Sequence, residues 1–492
     1  MNKSKNLTSK TINGLIWSFS ELIMNQGFSV IIQVILARLL LPEDFGLIGM
    51  ITIFISISTS IIDSGLSNAL IREEKINDKE CSTVFYFNLI ISVLVYIILF
   101  LVAPYVGHFF NENRLIYILR ILAVNIIIDA FGIIQRILLT RKIDFKTQTK
   151  ISILASVISG IIGIIAARMG LGVWSLIIRA IFMSLIQSIL LFVYNKWIPR
   201  LVFDICDFKK LFNFGWKMLI SSLMDTLYSN LYYIIIGKFF SVLDLGYYTN
   251  ACKLKDAASK SMTGAVQKVT YPVLSQLNND DSVRLKNGYK KILKCTAFII
   301  FPVMIGLASS GKLLITIVLG EKWIDSIFYF QILCFEAMLY PLHVINLNIL
   351  QVKGRSDLFL KLEIIKKGLG LLLIIAALYL KTGIYGILGV AVIDSYISYY
   401  INSFYSKYLI NYSFKEQVRD LMPSFVMTFI MGMAVCLFEH YISLPNILML
   451  VSQIMIGIII YIIEGLIFKS EELNIFLNLI INAIKKYKET VK

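Results

Sequence analysis

Ser82–Pro104, STVFYFNLIISVLVYIILFLVAP, runs for 23 residues without a charged side chain. At a rise of about 1.5 Å per residue, such a helix crosses the ~30 Å hydrocarbon core of a bilayer. Outward from this stretch, roughly fourteen apolar runs of about 20 residues recur almost evenly from Ile12 to Phe468, separated by short polar loops. The pattern predicts an all-α polytopic membrane protein. Composition agrees, because 58% hydrophobic residues leave too little polar surface to cover a soluble globule of 492 residues. Helices are expected at about 12–37, 45–66, 82–104, 114–136, 150–168, 171–195, 214–238, 245–271, 292–311, 326–350, 364–381, 384–408, 420–439 and 446–468. No loop exceeds roughly 25 residues, so an enzyme that needs an extramembrane domain for its acid, base or metal ligands is disfavoured.

The net charge of +16 comes from 47 Lys and Arg against 31 Asp and Glu. Gathered in one domain, it would suit nucleic acid. Instead the cations recur in alternate loops, among them Lys3/Lys5/Lys10, Arg141/Lys142/Lys146/Lys150, Lys209/Lys210, Lys353/Arg355 and Lys485/Lys486/Lys488. Loops assigned alternately to two sides place about 34 Lys/Arg with the amino terminus and about 7 opposite, which makes both termini cytoplasmic. The charge sets orientation, and no nucleic-acid partner is expected. Because the first ten residues are polar and the next apolar run is long enough to span, no cleavable signal is expected either. Cys252, Cys334 and Cys436 lie within spans, while Cys81, Cys206 and Cys295 lie near the cytoplasmic side, so no disulfide is expected. Neither CxxC spacing nor a histidine cluster calls for a metal.

The sequence also repeats itself. Ala37-Arg38, followed by Asp44-Phe45-Gly46-Leu47, returns as Gly237-Lys238, followed at the same spacing by Asp244-Leu245-Gly246-Tyr247. Gly172-Val173-Trp174-Ser175-Leu176 is echoed by Gly383-Ile384-Tyr385-Gly386-Ile387, and Phe110-Asn111-Glu112 by Leu319-Gly320-Glu321. Three matches in one order argue for two copies of a six-helix unit in the same orientation, the arrangement in which a transporter's substrate path lies between the halves. The expected domains are an N-terminal lobe at 1–195, an interfacial cytoplasmic linker at 196–213 and a C-terminal lobe at 214–408. Two further helices at 409–468 and an amphipathic cytoplasmic tail at 469–492 complete the chain. The apolar face of the tail is expected to lie on the membrane surface.

Taken together, these strings resemble the polysaccharide exporter branch of the multidrug/oligosaccharidyl-lipid/polysaccharide flippase superfamily, the Wzx-type proteins, with the WzxC/TuaB type as the best match. Further residues carry the resemblance: Asp63-Ser64-Gly65-Leu66, Asp144-Phe145-Lys146, Tyr271-Pro272, Gly320-Glu321-Lys322-Trp323 and Lys353-Gly354-Arg355-Ser356-Asp357. The resemblance implies two lobes around a central cavity. It also implies movement of an undecaprenyl-pyrophosphate-linked oligosaccharide (for O-antigen, capsule or exopolysaccharide) from the cytoplasmic to the periplasmic leaflet of the inner membrane by alternating access. The implied partners are that lipid-linked glycan, membrane lipid, and a polysaccharide polymerase and chain-length regulator. No cofactor is expected beyond a proton or sodium gradient. A pyrophosphate bearing sugars needs cations shielded from lipid and a polar lining in order to cross.

The eighth expected helix offers such cations. Lys253, Asp256, Ala257, Lys260, Gly264 and Gln267 fall on one helical stripe, and Lys253 and Lys260 stand about 10 Å apart along the axis. Both are candidate substrate ligands, as is Arg179, which lies too deep in the sixth helix to snorkel cheaply. Lys255 and Lys268 are expected to reach the interface or to pair with acids. For ion coupling or counter-charge, the acids are Glu21, Asp225, Asp256 and Asp129, with Asp394 and Glu336 also inside spans. Asp63, Arg38 and Lys238 are expected at helix ends, as gates or anchors. His343 reads as an interhelical contact, and Tyr228, Tyr232 and Tyr233 as packing or sugar-stacking rings. Three other functions compete: a peptidoglycan-precursor flippase, a multidrug or cation antiporter, whose cavity would be acidic, and a membrane glycan polymerase or ligase, which would need a long catalytic loop.

Overall fold

The computed structural model describes residues 26–63, 65–73, 76–278 and 282–478. Ten helices among them are long and apolar enough to cross a membrane. By contact the chain divides into two compact units, Met1–Asn250 and Ala251–Lys492.

The first unit holds α1 (Gln26–Leu39), α2 (Pro42–Asp63), α3 (Leu66–Arg72), α4 (Asp78–Phe110), α5 (Arg114–Leu122), α6 (Val124–Arg141), α7 (Phe145–Arg168), α8 (Val173–Asn195), α9 (Ile205–Ser229) and α10 (Leu231–Phe239). It closes with the first turns of α11 (Val242–Asn278), which continues into the second unit. α8 packs on α7 and α6, α4 on α6, and α2 on α9. The quoted stretch belongs to α4, which is polarised opposite to a soluble helix. Asn88 and Ser92 are fully buried, while Ile97 and Leu101 are 46% and 64% exposed. Apolar residues outside and small polar residues at helix contacts are what a hydrocarbon solvent selects.

Residues 196–204 strap over the first two turns of α4. Arg200 N–H donates to Ser82 Oγ at 3.0 Å, Asp204 N–H donates to Thr83 Oγ1 at 3.1 Å, and Arg200 pairs with Asp78 at 2.9 Å. The helix that follows starts earlier than the apolar pattern indicates, at Ile205 instead of 214. Asp204 is its N-cap, accepting from the amides of Cys206 and Asp207 at 2.7 and 3.1 Å, so the charged residues Asp207, Lys209 and Lys210 fall in the first turns of α9. Those two amides and an ion pair with Lys79 hold the Asp204 carboxyl below its usual range, with Lys79 the largest cause. Leu211 then enters a core with Leu66, Leu70, Val84, Phe85, Ile134 and Ile137.

The second unit continues with α12 (Ser282–Ser309), α13 (Gly311–Val318), α14 (Ser326–Ala337), α15 (Tyr340–Val352), α16 (Ser356–Tyr379), α17 (Gly383–Ser403), α18 (Ser406–Ile410), α19 (Phe414–Tyr441) and α20 (Asn446–Ile467). A last helix, α21, covers 471–478. α12 packs on α19 and α14, α16 and α14 on α17, and α19 on α20. Its interior is partly polar: the buried Tyr289 donates to Asn346, and Tyr412 donates to Asp420 at 2.6 Å. The described part of the tail packs on α12. α21 stacks Phe476 on Phe298 at 6.0 Å and buries Leu473, while Glu472 pairs with Lys294 at 2.7 Å.

The first sequence repeat acquires a physical meaning in the first unit. Asp44 accepts from Leu41 N–H at 3.0 Å, and Asp244 accepts from Ser241 N–H at 3.2 Å, so each starts its helix in the same way. The helices they start, α2 and α11, meet through their glycines. A Cβ on Gly46 would stand 2.0 Å from the Val242 carbonyl oxygen, and a Cβ on Gly246 would stand 2.0 Å from the Pro42 carbonyl oxygen. The contact is reciprocal, and deeper along α11 Gln33 of α1 donates to Asn250.

Candidate functional site

α11 carries lysines at 253, 255 and 260 within two turns, and helical geometry sends them to different environments. Lys253 is exposed. Lys255 is buried, its side chain 5% exposed, with Nζ 2.9 Å from Glu336 Oε2 on α14, 3.2 Å from Asp256 Oδ1 and 5.0 Å above the ring of Tyr340 on α15. The Tyr340 hydroxyl donates to the other oxygen of Glu336. Asp256 in turn pairs through Oδ2 with Lys260 Nζ at 2.6 Å, an i,i+4 contact along the helix. The Lys260 side chain is 70% exposed. The outcome is a line of alternating charge, Lys260–Asp256–Lys255–Glu336, running from an exposed cation to a carboxylate that is only 14% exposed. An ammonium as buried as that of Lys255 persists only with anions in contact, and here it has two.

A neutral layer supports Glu336. Ser395 Oγ on α17 donates to the Glu336 carbonyl at 2.9 Å, and His343 Nε2 lies 3.3 Å from the same hydroxyl oxygen. His343 Nδ1 lies 3.3 Å from Asn402 Nδ2, which can only donate. With Nδ1 accepting and Ser395 using its proton on the carbonyl, Nε2 carries the imidazole hydrogen. His343 is thus a neutral bridge between α15 and α17.

The other candidates stand in the first unit. Arg179 is half-buried on α8, and its stem lies over Gly163 of α7, where an added Cβ would come within 2.8 Å of Arg179 Cβ. The absent side chain is what admits the arginine, and among the described residues no carboxylate pairs with it. Asp129 on α6 faces Ser184 and Arg136 rather than Arg179. Asp225 is exposed on α9, and Arg38 is exposed near the end of α1. Lys238 on α10 reaches the end of α4, donating to the Phe109 carbonyl at 2.5 Å with its ammonium 4.6 Å over the Phe109 ring. Asp63 is the last residue of α2, with Oδ1 buried. Tyr232 and Tyr233 both pack against Tyr248, at centroid distances of 6.4 and 5.2 Å. Glu21 lies outside the described residues.

The structure therefore joins Lys260 to Asp256 and adds two groups that the stripe left out, Lys255 and Glu336. A usable signal was present: a lysine off the polar stripe of a membrane helix needs a carboxylate on a neighbouring span, and Glu336 is the single Asp or Glu between Ser326 and Val352.

Comparison with known proteins follows the same direction. A family model described as polysaccharide biosynthesis protein matches residues 35–328, more than half of the chain. The teichuronic acid biosynthesis protein TuaB of Bacillus subtilis is 28% identical over 76% of this chain and 77% of its own length. The lipopolysaccharide biosynthesis protein WzxC of Escherichia coli is 23% identical over 87% of this chain and 88% of its own. Among solved structures, a lipid II flippase MurJ in an inward closed conformation superposes with a TM-score of 0.72 at 17% identity, covering 93% of this chain and 98% of that one.

Proposed function

The chain belongs to the polysaccharide biosynthesis protein family, and from that premise we propose that it flips undecaprenyl-pyrophosphate-linked oligosaccharide units between the leaflets of the cell's inner membrane. It is a multi-pass membrane transporter of polysaccharide biosynthesis and not an enzyme. In this reading transport runs from the cytoplasmic leaflet outward by alternating access, with both termini cytoplasmic. A polymerase and a chain-length regulator take up the product. The observation that carries the substrate class is α11: a helix in a chain of membrane spans that presents Lys253 and Lys260 exposed, with a third lysine fixed behind them. Exposed cations on a membrane helix are costly against hydrocarbon and suit a polyanionic headgroup. Arg179 supplies a further cation from α8, its half-buried stem set by Gly163. Asp225, Asp129, Asp256 and Glu21 are the acids available for a coupled proton or sodium ion. Arg38, Lys238 and Asp63 serve helix ends or gates.

A deletion strain that retains glycan assembly tests the proposal. Lipid-linked oligosaccharide is expected to accumulate on the cytoplasmic side, and the wild-type gene is expected to clear it. Lys253→Ala, Lys260→Ala and Arg179→Ala, expressed at equal level, are expected to leave it uncleared. If no intermediate accumulates, the substrate class is wrong; if all three variants clear it normally, the choice of residues is wrong.

A further inference from the structure

Asp256 serves two lysines at once, one exposed and one buried, and this double use has a consequence for anion binding. Resting on the reading of Lys260 as a phosphate ligand, we propose that Asp256 is a displaceable counter-ion. A substrate pyrophosphate takes its place on Lys260, and the released carboxylate accepts a proton from water. The charge inventory supports this. With Lys260 and Lys255 both engaged, the two carboxylates of Asp256 and Glu336 are matched by two ammonium groups. Once phosphate oxygens claim Lys260, Lys255 alone faces both carboxylates, and the incoming anion adds negative charge beside them. Like charges sharing one cation in a poorly solvated place favour protonation of one of them.

Geometry selects Asp256 over Glu336. Glu336 keeps its closer contact with Lys255 at 2.9 Å and its hydrogen bond from Tyr340, while Asp256 loses its 2.6 Å partner and retains one at 3.2 Å. The remaining titratable and charged neighbours do not substitute. Cys252 and Lys253 share α11, Cys334 lies two residues from Glu336 on α14, and Asp394 lies beside Ser395 on α17. His343 on α15 is already bonded to Ser395 and Asn402. In the empty protein Asp256 screens Lys260, so weak anions are refused and a pyrophosphate must outcompete a built-in carboxylate. The proton joins as the phosphate arrives and leaves as it departs, which makes binding tighter at lower pH.

The test uses the full chain purified in detergent, with farnesyl pyrophosphate as the probe. Affinity is measured at two pH values for wild type, Asp256→Asn, Glu336→Gln and Lys260→Met, and infrared difference spectra are recorded on adding the probe. Asp256→Asn is expected to bind at least about fivefold tighter than wild type at neutral pH. Its affinity is expected to rise less on acidification, the difference between the two proteins cancelling the ionisation of the probe itself. Wild type and Glu336→Gln are expected to show the carbonyl stretch of a newly protonated carboxyl, and Asp256→Asn to lack it. If Lys260→Met weakens binding but Asp256→Asn binds no better than wild type and no carboxyl band appears, the counter-ion proposal is overturned and the reading of Lys260 stands. If Lys260→Met binds like wild type, that reading falls and takes the proposal with it.

Discussion

Lys255 shows how one residue's fate follows from what surrounds it. Its ammonium is buried between Glu336 and Asp256, so a change of one partner leaves a charge with no water to turn to. Lys255→Met is expected to lower stability by up to about 3 kcal/mol, because the half-buried Glu336 carboxylate is left without its cation. Lys255→Met combined with Glu336→Leu is expected to recover most of that loss, because the volume stays filled and no charge remains. Thermal unfolding in detergent, followed by fluorescence, checks both. If the double variant is no more stable than the single one, the ion pair is not what the lysine contributes. Lys260, two helical turns from Lys253 and 70% exposed, is expected to tolerate the same change without loss of stability.

Between elements, α2 and α11 approach closely at the reciprocal glycines. Neither Gly46 nor Gly246 can gain a methyl group without moving a backbone carbonyl 2.0 Å away, and a carbonyl held in a helix yields little. Gly46→Ala and Gly246→Ala are each expected to cost about 1–3 kcal/mol by overpacking, read as a lowered melting temperature. Gly389 on α17 has no heavy atom within 4 Å of the position a Cβ would take. There alanine is expected to be neutral or stabilising by up to ~1 kcal/mol, through the lower backbone entropy of the unfolded chain. Equal stability of all three variants would mean that the close approach is not maintained. The second repeat likewise rests on backbone geometry: Gly172 and Gly383 both take positive φ, 53° and 72°, where α8 and α17 begin.

Across the whole molecule, the alternation of basic and charge-poor loops predicts which side of the membrane each loop faces. Asn111→Cys, between α4 and α5, is expected to react with a membrane-impermeant maleimide added to intact cells, whereas Lys142→Cys, between α6 and α7, is expected to react only after the cells are opened. The reverse pattern would invert the orientation and with it the direction assigned to transport.

The apolar spans and the family strings were legible in the chain itself, because a ~30 Å apolar medium imposes a run length. Asp44 and Asp244, read as matching letters, proved to be matching helix starts. The start of α9 was hidden, since its first turns carry Asp207, Lys209 and Lys210 and only the cap at Asp204 marks it. The polar stripe on α11 gave Lys253, Asp256 and Lys260, but periodicity describes one helix at a time. That Lys255 turns inward to Glu336, 81 residues later, depends on how α14 packs beside α11. Composition and periodicity thus determined that the chain spans the membrane and where its cations lie. Tertiary structure alone decided which cation is held by which anion, because a charge buried away from water takes its partner from whatever neighbouring helix comes within about 3 Å, and no spacing along the sequence encodes that neighbour.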